Sequence, residues 1–172
     1  MRIAYAMVNR RGGTDLLLRQ VAESAAARGV RACGLVQINT DCAPDRPCDM
    51  DVRILPDGPV IRISQSLGPG ARGCRLDTPA LEEAAGLVAA ALERGADLMI
   101  INKFGKSEAE GRGLRGVIAE AIGRDVPVLV GLNASNEAAF EAFTGGLADR
   151  LPAEPEAMID WLDAATRASA EG

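Results

Sequence analysis

The sequence predicts an α/β fold of three layers: a mostly parallel sheet, helices on both of its faces, and an inserted antiparallel hairpin. Three observations carry that expectation. Strand-like apolar runs alternate with segments of helical periodicity along most of the chain. Two of the runs, "ADLMIIN" and "VPVLVGLN", are apolar almost without interruption, as strands covered on both faces are. Between residues 50 and 64 the rhythm breaks into two short alternating runs around Pro56-Asp57-Gly58, the pattern of a hairpin with an Asp-Gly turn.

Taken in order, Arg2–Val8 reads as a strand, and the helical segment "TDLLLRQVAESAAARG" follows with Leu16, Leu17, Val21 and Ala25 on one face. Asp15 lies in its first turn and Gly29 is its expected stop. Val30–Ile38 is the second strand. Residues 39–77 then form the insertion: a turn-rich loop over Asn39–Asp49, the hairpin runs "MDVRIL" and "VIRIS", and a glycine-rich loop over Gln65–Asp77. Thr78 and Pro79 suit an N-cap and first helical position, for a helix reaching about Arg94. The strand "ADLMIIN" leads into a loop and helix over residues 107–125. "VPVLVGLN" is another buried strand, "NEAAFEAFTGG" a short helix and "LADRLP" an edge strand. A terminal helix over about 155–168 is amphipathic, with Met158, Trp161, Leu162 and Ala165 on one side.

Composition bounds the function. The 172 residues, 48% hydrophobic and 25% charged, suit a single domain spanning 1–172 with its own core. A net charge of −5 argues against a nucleic-acid or membrane-surface role, since both need a basic face. No apolar run approaches the ~20 residues of a membrane span. The sequence beginning Met1-Arg2-Ile3 lacks a secretory leader's apolar stretch, so the cytoplasm is the expected compartment. Cys33, Cys42, Cys48 and Cys74 are then expected as thiols rather than disulfides. Their spacing fits no zinc motif, no metal site is expected from them, and the absence of histidine removes His-dependent triads.

In open α/β sheets ligands bind beyond the carboxyl ends of the strands, so the segments to inspect are Asn9–Thr14, Ile38–Asp49, Asn102–Gly113 and Asn133–Asn136. "GPGARG" at Gly68–Gly73 matches G-x-G-x-x-G literally, but it follows a hairpin strand and does not open a helix, so it is no dinucleotide fingerprint. Arg72 and Arg75 in and after it are cations within reach of an anion. "MVNRRGGT", Met7–Thr14, sits where a phosphate loop belongs. Gly12 and Thr14 fit G-x-x-x-x-G-K-[ST], while Met7 replaces the first glycine and Gly13 the lysine. "NKFG" at Asn102–Gly105 lacks the aspartate that would read guanine. What it opens is a basic set, Lys103, Lys106, Arg112 and Arg115, interleaved with Glu108 and Glu110.

These residues resemble a known family at two levels. The order of strand, degenerate phosphate loop, helix, "RACGLVQ", hairpin and "LMIINKFGKSE" is similar to the thermophile-type nucleoside-triphosphatase branch of P-loop proteins. In that branch the first loop is a full Walker A and the later strand ends in Asp-Glu-x-Gly-Lys followed by an acid. Gly105, Lys106 and Glu108 match that signature, whereas Asn102 and Lys103 replace its two acids. A closer resemblance, over about Arg31 to Leu151, is to a bacterial family of unknown function carrying "CDM", "LPDGPVIRISQ-LG", "GCRLD", "NKFGK-EAEGRG" and "PVLVG-N" in this order. Its members are often labelled molybdenum ABC-transporter ATP-binding proteins. The resemblance implies a P-loop-like fold.

The leading expectation is a non-hydrolysing site for a nucleotide phosphate or a tetrahedral oxyanion such as molybdate. Its ligand set would be Arg10, Arg11, Gly12, Gly13, Thr14, Asn102, Lys103, Lys106, Glu108 and Arg112. No catalytic residue is assigned. One alternative is a phosphohydrolase with unorthodox Mg²⁺ ligands drawn from Asp15, Asp49, Asp51 and Glu108. Another is a scaffold or regulatory partner whose Trp161 helix mediates assembly of identical copies.

Overall fold

The computed structural model describes residues 1–10, 12–39, 49–65 and 75–171. From the amino terminus these form β1 (Ile3–Ala6), α1 (Gly13–Ala27), β2 (Ala32–Asn39), β3 (Met50–Leu55) and β4 (Val60–Arg62). Next come α2 (Thr78–Glu93), β5 (Leu98–Ile101), α3 (Lys106–Ala109), α4 (Arg115–Gly123) and β6 (Val128–Gly131). A 3-10 turn at Ala134–Asn136, α5 (Glu137–Thr144), β7 (Asp149–Arg150) and α6 (Pro155–Ala170) complete the order.

The strands make one seven-stranded sheet in the order β4-β3-β2-β5-β6-β1-β7. β2, β5, β6, β1 and β7 run parallel, and β3 and β4 add an antiparallel meander at one edge, as the alternating runs around Asp57 predict. The central strands are buried on both faces, so alternate residues feed two separate cores. Ile3, Tyr5, Met99, Ile101 and Val130 face α2, α4 and α5. Ala4, Ala6, Leu98, Ile100 and Leu129 face α1 and α6. Three layers result because the uninterrupted apolar runs must be covered from both sides.

Two local details differ from the sequence reading, each for a clear reason. Asp77, not Thr78, caps α2: its carboxylate accepts the Ala80 amide at 3.0 Å, which moves Thr78 and Pro79 one position into the helix. Leu16 is 37% exposed while Leu18 is fully buried. The stripe that α1 turns inward is Leu17, Leu18, Val21, Ala22 and Ala25, and Leu16 falls on its flank. On α6, Met158, Leu162 and Ala165 are buried as expected. Trp161 is half-buried, its indole N–H donating to Asp149 Oδ2 at 3.0 Å and tying α6 to β7.

Candidate functional site

At the carboxyl end of β1 the chain passes through Met7–Arg10 to Gly12, which takes the left-handed conformation (φ 72°) and caps α1. The turn is tight: the Gly13 amide donates to the Arg10 carbonyl at 2.9 Å, and Leu16 to Gly12 at 3.1 Å. At the position where a phosphate loop keeps its lysine, Gly13 is buried, and a Cβ built on it would lie 2.4 Å from Val8 Cγ1. Val8 is β-branched and stiff, so the space beside position 13 is filled by the loop's own side chain. Arg10 is exposed and forms no ion pair among the described residues; Arg11 lies outside them.

Asn102, at the end of β5, is 4% exposed and both ends of its carboxamide are engaged. Its Oδ1 accepts the Gln37 amide of β2 at 2.8 Å, and its Nδ2 donates to Asp15 Oδ1 in the first turn of α1 at 2.7 Å. One side chain therefore fastens β2, β5 and the start of α1 together. β6 passes equally close: a Cβ on Gly131 would lie 2.1 Å from the Asn102 carbonyl and 2.6 Å from Thr14 Cγ2. Glycine at the end of this apolar strand marks that approach. The chain beyond Asn102 crosses β6, with the Phe104 amide donating to the Gly131 carbonyl at 2.9 Å. Phe104 is anchored edge-on to Phe140 (5.2 Å between centroids) and stacked on Phe143 (5.6 Å), and Tyr5 meets Phe140 at 5.3 Å.

The remaining expected residues separate into two groups. Glu108 is 3% exposed, and its two oxygens accept the Gly105 amide at 2.9 Å and the Leu114 amide at 3.0 Å. Its carboxylate thus clasps both ends of the Gly105–Leu114 turn and faces no open site. Lys106 and Arg112 converge on Glu110, Lys106 at 3.9 Å and Arg112 in direct contact. Arg115 lies over the Phe143 ring, 4.9 Å from its centroid. Lys103 is exposed and without an ion pair among the described residues, and it leaves the sheet two strands away from Arg10.

Asp15, Asp49, Asp51 and Glu108 are not brought together. Asp49 and Asp51 sit in and before β3, where Arg62 lies 3.4 Å and 3.0 Å from them and Arg75 lies 3.7 Å from Asp49. Among the described residues, no three Cys, Asp or Glu side chains are grouped so as to hold a metal ion. The "GPGARG" loop, Cys42, Cys48 and Cys74 lie outside the described residues. Cys33 is a buried free thiol whose pKa burial pushes from about 9 up to about 11. No helix among the described residues is long and apolar enough to cross a membrane.

The mostly parallel sheet, the helices on both of its faces and the helix entered directly from β1 make this an α/β fold of P-loop-like architecture. The fold is that of the solution structure of a human cancer-related nucleoside triphosphatase, at a TM-score of 0.65 and 18% identity over the whole of both chains. The chain belongs to the family described as "Protein of unknown function (DUF2478)", whose model matches residues 3–161. It is also 36% identical over 160 residues to the "Molybdenum import ATP-binding protein ModC 2" of Bradyrhizobium diazoefficiens. That alignment takes in 93% of this chain and 18% of the relative, so the chain spans less than a fifth of the curated protein it matches.

Proposed function

We propose that this domain binds a nucleotide phosphate or a tetrahedral oxyanion such as molybdate at the carboxyl ends of β1 and β5, without hydrolysing it efficiently. The observation that carries the reading is an imbalance of partners around the start of α1. Among the described residues the acids of these segments are engaged: Asp15 by Asn102, Glu108 by two backbone amides, and Glu110 by Lys106 and Arg112. Arg10 and Lys103 have no such partner among the described residues. Arg10 immediately precedes a fifteen-residue helix whose amino-terminal dipole also favours an anion, and Lys103 follows Asn102, which bonds to that helix's first turn.

The ligand set is then Arg10, the amides of Gly12–Thr14 and Lys103, with Arg11 beside them in sequence and Lys106 and Arg112 behind, restrained by Glu110. The name of the Bradyrhizobium relative, which joins molybdenum import to ATP binding, agrees with either oxyanion. The filled space beside Gly13 and the Asn102–Asp15 hydrogen bond support binding rather than turnover: position 13 holds no lysine, and among the described residues no cluster of carboxylates stands ready for a metal-assisted phosphoryl transfer.

Calorimetric titration with ATP, GTP, molybdate and tungstate tests the proposal. At least one is expected to bind, and Arg10→Gln with Lys103→Gln is expected to weaken it about tenfold or more, the scale of losing one charge-assisted hydrogen bond. Four flat titrations, or full affinity in the double variant, would overturn it.

A further inference from the structure

A cavity lies at the opposite end of the sheet. It measures about 260 Å³ and opens where the start of β2, the end of α2 and the β3–β4 turn meet. This is somewhat below the roughly 300–1,000 Å³ of pockets that hold drug-sized ligands, so its occupant must be small. Cys33 and Ala91, on the α2 face of the sheet, are the apolar part of its lining, the floor; the Ala32 side chain turns to the other face. Burial keeps the Cys33 thiol neutral at ordinary pH, so the floor carries no charge.

The rim is different. Arg31 and Arg94 both line the cavity. Arg31 is held from behind: its amide donates to Asp97 Oδ2 at 2.9 Å, and its Nε lies 3.8 Å from the same oxygen. Its guanidinium passes over Gly95, where an added Cβ would meet Nη1 at 3.7 Å. Arg94 forms no ion pair or side-chain hydrogen bond among the described residues, and the same holds for Asp57 on the facing wall.

Two guanidinium forks above an apolar floor suit a molecule with an anionic head and a short hydrocarbon body. We infer that this cavity is a second binding site, for a small organic carboxylate, with its head on Arg31 and Arg94 and its carbon chain against Cys33 and Ala91. Asp57 faces that head as a like charge and limits the affinity.

The inference is independent of the site beside α1 and is tested with 4-methylpentanoate as probe, followed by amide chemical shifts of the full chain. Saturable shifts are expected at Ala32, Cys33, Asp57 and Gly95. Arg31→Gln with Arg94→Gln, both at exposed positions, should weaken them about tenfold or more. Asp57→Asn should instead tighten binding by about threefold or more, through loss of like-charge repulsion. Arg10→Gln with Lys103→Gln should leave both unchanged. Absence of saturable shifts overturns the inference, as does indifference to the Arg31/Arg94 pair. Inorganic phosphate matching the carboxylate at the same resonances would overturn the organic-acid assignment, because the floor would then contribute nothing.

Discussion

Replacing Glu108 with Gln removes one atom's worth of acceptor from a buried clasp. In the native chain Oε2 accepts the Gly105 amide at 2.9 Å and Oε1 accepts the Leu114 amide at 3.0 Å, on a side chain only 3% exposed. Glutamine keeps the shape but has one oxygen, so its NH₂ must face one of the two donors. That backbone amide loses its partner out of reach of water, at about 1–3 kcal/mol. The remaining bond changes from charge-assisted to neutral, at about another 0.5–1 kcal/mol. The expected loss is therefore about 1.5–4 kcal/mol, a large share of the ~5–15 kcal/mol that holds a domain folded. Urea unfolding followed by circular dichroism reads it as a lowered midpoint at constant slope. The exposed neighbour Glu110, changed to Gln, serves as control and should shift stability by under about 0.5 kcal/mol. If Glu108→Gln were as mild as that control, the clasp would not be holding the turn.

Two further outcomes follow from buried groups. Asn102→Asp would set a second carboxylate against Asp15, where the native contact is 2.7 Å, and like charges raise the folded-state pKa of the pair. Its stability deficit should grow as pH rises through the carboxylate range and shrink on acidification; a deficit flat with pH in thermal melts would contradict the contact. Cys33 has a folded pKa of about 11 against an ordinary value near 9, so the unfolded chain loses its proton first. Stability from this thiol is intact below pH ~9 and lost between about 9 and 11, by about 2–3 kcal/mol. Cys33→Ala should flatten that fall in denaturation midpoints, and an equal fall in both proteins would assign it to other groups.

Periodicity made most of the fold legible. The buried strands LMII and VLVG announced themselves as uninterrupted apolar runs, and Asp57-Gly58 marked the hairpin, because strand burial and turn chemistry are written in neighbouring residues. The site was less legible. Glu108 looked like a ligand because it stands among cations in sequence, yet its carboxylate turns inward to amides that the sequence cannot display. Asn102 was placed at the correct strand end, but its partners Gln37 and Asp15 lie 65 and 87 positions away, and no local pattern encodes them. Only Gly131, a glycine at the end of an apolar strand, carried a readable hint of the close packing around Asn102.

The contact between Val8 and position 13 couples the two residues. A lysine introduced at Gly13 would arrive with its Cβ inside the space of Val8, 2.4 Å from Cγ1, so it would first disturb the loop that it is meant to serve. Shrinking Val8 alone would leave a gap beside a glycine and restore no charge. Each of the two changes is unfavourable without the other, so the pair is coupled through the space they share. Position 13 is therefore locked by its neighbour: any side chain larger than hydrogen there requires a compensating change at Val8.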